Sequence, residues 1–266
     1  MSLSDSWRRL LRRILPSRAY AWASDAASAW ALIRAEGLRT YRAAARMDRD
    51  GSQPHHCFPS RRYGQPVFFR PQSQDLAILI QNLFRDEYGL LPRGLRPEFV
   101  IDAGSYIGDV SLYYLRRFPD CRVVALEPND ANHAIAELNL QAYGPRVTLL
   151  HKGLWSQSTW LKMEGERDFG KLVPSDDGRG VIECVSIDSI MATYGFPRLD
   201  VLKLDVEGAE LEIVAQHPGK WLDRTRLIIV EFHGPDIQDR CSRVLAAAGF
   251  VGSQYRSVYY FAKAQT

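Results

Sequence analysis

A strand pattern that runs straight into a glycine turn limits what this chain can fold into. Between Glu98 and Ser111, Phe99, Val100 and Ile101 make a short apolar run and Asp102 closes it. Gly104 and Gly108 follow, and helical spacing then runs from Val110 to Phe118, where Pro119 stops it. A short apolar run of this kind fits a parallel strand buried on both faces. The two glycines permit backbone angles and close approaches that a side chain would block. A strand, turn and helix in this order would aim backbone N–H groups and the positive end of a helix dipole into the turn. The same turn also occurs with no ligand. The spacing is Gly-xxx-Gly, not the Gly-x-Gly-xx-Gly of a dinucleotide site, which weighs against a nicotinamide-dependent oxidoreductase. No Gly-Lys-Ser/Thr follows, so it is not a phosphate-binding P-loop.

A second apolar run, Cys121 to Leu126, ends in Glu127-Pro128-Asn129. Glu127 thus stands at a strand end about 20 residues beyond the glycines, where an acid that holds ribose hydroxyls belongs in a doubly wound fold. A third run, Leu199 to Leu204, ends in Asp205-Val206-Glu207-Gly208-Ala209-Glu210 and carries Lys203 inside it. A lone buried ammonium is costly, so Lys203 must reach water or find an acid. Leu227 to Phe232 is a further strand, and it delivers His233 to the same sheet edge. His233 reads equally as a general base or as a structural hydrogen-bonder.

The rest of the chain frames these stretches. Residues 1–49 hold ten arginines against four acids, a net of +6, so the remainder carries −3 of the total +3. The later part is therefore no nucleic-acid surface on charge grounds. Trp7, Leu10, Leu11, Ile14 and Leu15 share one face of a basic amphipathic helix over residues 7–15. That helix suits peripheral contact with an anionic membrane, or packing on the protein with its arginines solvated. Residues 19–49 read as helical with a break at Gly37, and 51–73 as irregular with one short strand at Val67–Phe69. Residues 74–88 read as a helix, and 55–90 are placed by position to roof a cofactor or select substrate. Residues 153–163 and 180–187 read as a hairpin insertion with a polar loop between them. Four scattered cysteines point to reduced thiols in a cytoplasmic setting, and no apolar run reaches transmembrane length. No secretory signal is expected, and no metal set is evident, although Asp205 and Glu207 could join one with a substrate oxygen.

Taken in order, Val100 to Gly108, Ala125 to Asn129, Ser186-Ile187-Asp188, Leu202 to Glu210 and Ile229 to His233 resemble the FkbM family of S-adenosylmethionine (SAM)-dependent methyltransferases. The resemblance implies an α/β fold: a doubly wound, Rossmann-like, mostly parallel sheet of the class I methyltransferase type. The residue pattern adds a β-hairpin insertion and a mainly helical N-terminal extension that lies outside the resemblance, with the methyltransferase domain at 98–266 and the extension at 1–97. The resemblance implies SAM as cofactor, with Asp102, Gly104, Ser105 and Gly108 around its methionyl end. Glu127, with Pro128 and Asn129, would meet the ribose, and Lys152 and Gly153 would border adenine. Asp205 and His233 would be the candidate bases, oriented by Glu207 and Lys203, with Asp205 also near the cofactor. The expected acceptor is a hydroxyl on a sugar, glycolipid or other small molecule, not a nucleic acid. The expected location is cytoplasmic, with contact at the inner face of a membrane through residues 7–15. The chain departs from the family at Ser105-Tyr106, where Ala-Asn is usual. Tyr106 would narrow the site and leaves open a noncatalytic adaptor that docks through its basic helix.

Overall fold

The computed structural model describes residues 17–166, 169–175, 180–216 and 218–263. The basic helix expected over residues 7–15 lies outside them. The chain divides into two compact units, Met1–Gly89 and Leu90–Thr266.

In the first unit, α1 (Ser17–Glu36) and α2 (Leu38–Met47) are separated by Gly37 at φ 92°, a conformation that favours glycine. The irregular segment that follows holds more than the one strand expected. β1 (His56–Ser60) and β2 (Gln65–Phe69) form an antiparallel hairpin. Pro59 and Pro66 conceal it in the sequence, because proline argues against a strand. In the structure the two prolines face each other. At such a pair neither N–H would have bonded across, so the ladder loses nothing. The buried Glu36 carboxylate holds the hairpin turn by accepting from the Ser60 hydroxyl and from the N–H groups of Arg61 (2.7 Å) and Arg62 (3.1 Å). The helix expected over 74–88 is shorter. α3 (Asp75–Leu79) widens into a π-helical turn, Ile80–Phe84, and the chain leaves it through Asp86 at φ 53°.

The second unit is a seven-stranded sheet. Five strands run parallel: β3 (Phe99–Ala103), β4 (Arg122–Leu126), β5 (Val147–Leu150), β10 (Val201–Leu204) and β11 (Leu227–Glu231). β12 (Phe250–Tyr255) and β13 (Val258–Lys263) close the sheet as a hairpin, with β13 antiparallel to β11 and β12 at the edge. The order β12-β13-β11-β10-β3-β4-β5 reverses direction of progress at β3, the topological switch point. α4 (Asp109–Arg117), α5 (Asp130–Leu140), α6 (Ile187–Tyr194) and α7 (Pro235–Ala247) are the connecting helices. This is the doubly wound, mostly parallel fold the sequence implied. The insertion is larger than a hairpin: β6 (Gly153–Leu154), β7 (Thr159–Glu166), β8 (Phe169–Val173) and β9 (Ile182–Val185) make a four-stranded sheet. β8 lies in the stretch read as a loop, whose glycines and charges break any apolar alternation.

Apolar side chains from β3, β4, β10 and β11 fill one core with Ile187, Met191, Trp221 and Leu245. The motif at Ser186 and Asp188 serves this packing. Ser186 caps α6 in a capping box, and Asp188 accepts from Lys220 N (3.0 Å) and Arg224 Nη2 (3.1 Å). At the opposite end of the sheet from the glycine turn, fully buried Asp200 takes the N–H groups of Glu98 and Phe99 and the guanidinium groups of Arg198 and Arg226. Acid and donors thus fix the start of β3 against β10 and β11.

The turn after β3 has no room for a side chain at its first glycine. Gly104 sits at φ 73°, and a Cβ there would stand 1.8 Å from the backbone oxygen of Asp205. Gly104→Ala should therefore lower unfolding free energy by about 2–4 kcal/mol, read by chemical denaturation. A change below about 0.5 kcal/mol, the usual scatter for surface substitutions, would show that the two strand ends are not this close.

Candidate active site

The carboxyl ends of β3 and β10 meet around one buried cation. All four residues of β10 are buried, Lys203 among them at 2% exposure. Its ammonium donates to the carbonyl oxygen of Gly104 and lies 3.5 Å from Asp102 Oδ1 and 3.6 Å from Asp205 Oδ2. Burial alone would push the Lys203 pKa down. The negative charges of Asp102, Asp205 and Asp109 outweigh burial, and the net shift is upward. Lys203 is therefore a permanent charge wedged behind the turn. Asp102, completely buried, also accepts from the Ser111 hydroxyl at 2.6 Å.

The turn differs from the expected cradle of free N–H groups. Gly104 N and Ser105 N both donate to the Leu126 carbonyl at the end of β4, and Tyr106 N donates to Glu127 Oε2 at 2.9 Å. These three amides bind the turn to β4. What the turn offers a ligand is close approach and the Ser105 hydroxyl, which is buried and has no hydrogen-bond partner among the described residues. Gly108, at φ 79°, starts α4 and packs against α5, where a Cβ would lie 3.0 Å from the Leu140 side chain. Tyr106 itself adopts φ 51°. Asparagine tolerates that left-handed conformation better than tyrosine.

Glu127 stands where the sequence placed it, 5% exposed at the end of β4. Besides Tyr106 N, its carboxylate accepts from Asn129 N (3.0 Å) and Asn132 Nδ2 (3.3 Å). Burial raises its pKa to about 7 against the pull of those donors. Three of roughly four lone-pair sites are filled, so room remains for a further donor. The Asn129 side chain is taken up as the cap of α5, accepting from Ala131 N and Asn132 N. His151 Nε2 lies 3.1 Å from the Pro128 carbonyl oxygen, which sets the segment after β5 beside the segment after β4. Lys152 pairs with Glu183, and Gly153 packs in the inserted sheet, where a Cβ would strike Leu172 and Cys184.

On the other side of Lys203, three partly exposed side chains converge. His233 Nε2 lies 3.7 Å from Asp205 Oδ1 and 3.4 Å from Glu207 Oε2. Fully buried Glu210 accepts from His233 Nδ1 at 2.7 Å. Glu207 stands at φ 50°, followed by Gly208 at φ 96°, so the chain turns sharply and returns Glu210 toward His233. Burial raises the Glu207 pKa, partly offset by His233. For His233, burial acts downward, but the Glu210 hydrogen bond and the charges of Glu210, Glu207 and Asp205 win, and the pKa rises to about 9. In the ligand-free chain His233 therefore carries its proton at neutral pH, which favours the structural hydrogen-bonder of the two roles the sequence left open. Sequence reasoning missed Glu210 as the group that holds His233. The available signal was its position three residues after Glu207, near the start of the following helical segment.

Because the folded pKa of His233 is raised, its charge contributes stability that is fully present below about pH 6.5, the unfolded value, and is lost as pH rises through about 9. Proton NMR of the imidazole should titrate near 9, and Glu210→Gln should move that midpoint downward. A wild-type midpoint at or below the unperturbed value of about 6.5 would contradict this geometry.

Comparison with known proteins agrees with this architecture. The Methyltransferase FkbM domain matches residues 102–253, more than half of the chain. Among curated proteins, Methyltransferase sdnD of Sordaria araneosa is 26% identical over 189 residues, covering 57% of this chain and 73% of that protein. The AMB antimetabolite synthetase AmbE of Pseudomonas aeruginosa is 27% identical over 196 residues, covering 58% of this chain but 9% of that much longer protein. A solved FkbM methyltransferase from Methylobacillus flagellatus aligns over 70% of this chain and 53% of its own length, with a TM-score of 0.46 and 16% identity. The family match covers the glycine turn, Glu127, the Lys203 cluster and His233 together, and the chain belongs to the FkbM methyltransferase family.

Proposed function

We propose that this methyltransferase uses SAM to methylate a hydroxyl group on a small molecule, sugar or glycolipid. The observation that carries the reading is the pairing of two chemically different half-sites across Lys203. One half has a buried acid and an orphan buried hydroxyl, Glu127 and Ser105. The other has the open Asp205, Glu207 and His233 group. The first half fits SAM. Glu127 has acceptor capacity left for a ribose hydroxyl, Ser105 Oγ awaits a partner, and the acids Asp102 and Asp205 suit an α-ammonium group. Bound there, SAM would supply a methyl group activated by its sulfonium, so that the carbon–sulfur bond breaks as the carbon–oxygen bond forms.

The protein's own work is then alignment and proton removal. With His233 protonated, the acceptor's proton goes to a carboxylate, and Asp205 is the one at the strand end facing both halves. Glu207 shares the imidazolium, and His233 can donate to the acceptor oxygen and hold it in place. Lys203, buried behind the turn, positions Asp205 and Asp102 without reaching the acceptor. The sdnD relative supports methyl transfer as the reaction class. The adaptor reading drew on residues 7–15, outside the described residues. Among the described residues no helix is long and apolar enough to cross a membrane, and a lipid-linked acceptor remains part of the proposal.

Incubation with methyl-labelled SAM and a panel of sugars, glycolipids and small alcohols should place label on an oxygen, identified by NMR of the product. At saturating SAM, Asp205→Asn should reduce turnover about 100-fold or more, the scale of a lost general base. Label on nitrogen, carbon or sulfur, or full turnover by Asp205→Asn, would overturn the assignment.

A further inference from the structure

The structure assigns a divalent transition-metal site to Asp205, Glu207 and His233, with Glu210 as the group that orients the histidine. The three side chains offer ligand atoms that all lie within 4.8 Å of one another. An ion about 2.0–2.2 Å from each donor sets adjacent donors roughly 3 Å apart and opposite donors roughly 4.4 Å apart. The observed 3.7 Å and 3.4 Å separations from His233 Nε2 fall inside that range. Closing the widest gap takes only small side-chain rotations.

Two further observations separate this from a chance gathering of acids. The first is the carboxylate–histidine relay. Metal-bound histidines donate their other ring N–H to a carboxylate or carbonyl, which fixes the ring and raises its basicity. Glu210, with no exposed surface, does this to Nδ1 at 2.7 Å and leaves Nε2 directed at Asp205 and Glu207. The second is Glu210 Oε2, a buried carboxylate oxygen with no hydrogen-bond donor among the described residues. Its charge is met on one side only, by the His233 ring at 2.7 Å, so an ion on Nε2 would add to that compensation through the ring. Lys203 is engaged on the far side of Asp205, between it and Asp102.

The chemistry of the donors selects the ion. One imidazole with two carboxylates suits Mn²⁺, Fe²⁺, Co²⁺ or Zn²⁺ better than Mg²⁺ or Ca²⁺, which favour all-oxygen shells. Three protein ligands, partly exposed at 28%, 29% and 34%, leave open positions, the mark of a catalytic site and not a structural one. Resting on the methyltransferase reading, the inference adds that the acceptor hydroxyl occupies an open position. With Asp205, Glu207 and His233 committed to the ion, the acceptor's proton would pass to water, more readily because the ion would stabilise the alkoxide, in place of the direct transfer to Asp205 described for the metal-free chain.

Mn²⁺ titrated into the full chain, without SAM or acceptor, tests the site by electron paramagnetic resonance. One Mn²⁺ per chain should lose its free-ion spectrum, and Zn²⁺ should displace it. Asp205→Asn and Glu207→Gln should each weaken binding at least tenfold. If Asp205→Asn unfolds through loss of the Lys203 partner, Glu207→Gln decides. A free-ion spectrum at every ratio, or unchanged binding in Glu207→Gln, would overturn the metal site. The demethylated cofactor can be titrated into the same sample, so loss of the metal site alone and loss of the methyltransferase reading are told apart.

Discussion

An ammonium group at 2% exposure survives only inside a matched set of charges, and Lys203 has one. Asp102 comes from the strand beside it, Asp205 from the end of its own strand, and the Gly104 carbonyl from the turn above. Removing any one acid would leave a buried charge short of compensation, a costly state. The arrangement therefore fixes the turn after β3 against the end of β10. That junction is the switch point of the sheet, where open α/β folds bind their ligands.

The consequence is a site in two halves that share one rigid wall. Toward β4, the turn amides and Glu127 tie two strand ends together while leaving the Ser105 hydroxyl and part of the carboxylate for a ligand. Toward β11, Asp205 faces both Lys203 and His233. It is in contact both with the buried cation and with the open cluster. Negative charge on the open side exceeds what His233 supplies, so that half favours a positive occupant. A proton on Nε2 meets the need in the ligand-free chain, and a bound cation would meet it more fully.

Local pattern made the fold and half of this site legible. Val100 to Gly108 reads as strand and turn because burial and backbone freedom are both written in short order, and Glu127 is placed by the same logic. Lys203 was visible as an anomaly, a charge within an apolar strand, and the physics of burial demanded the acids found beside it. The Glu210–His233 bond was not legible, since it joins residues 23 apart whose meeting depends on the strained turn at Glu207. The β1–β2 hairpin was hidden by prolines that happen to face each other, and the early end of α3 by a widening that no residue type announces. The free amides expected at the glycine turn were lost to a tertiary partner, the Leu126 carbonyl. Local sequence shows which groups a turn carries, not which of them a neighbouring strand will take.

The central claim, that Glu127 and the turn held by Lys203 form a methyl-donor site, is met most directly by isothermal titration calorimetry with S-adenosylhomocysteine. Wild type should bind one equivalent, and Glu127→Ala, with its fold verified by circular dichroism, should lose at least tenfold in affinity. Folded wild type that binds neither this ligand nor SAM, or equal binding by Glu127→Ala, would contradict the account.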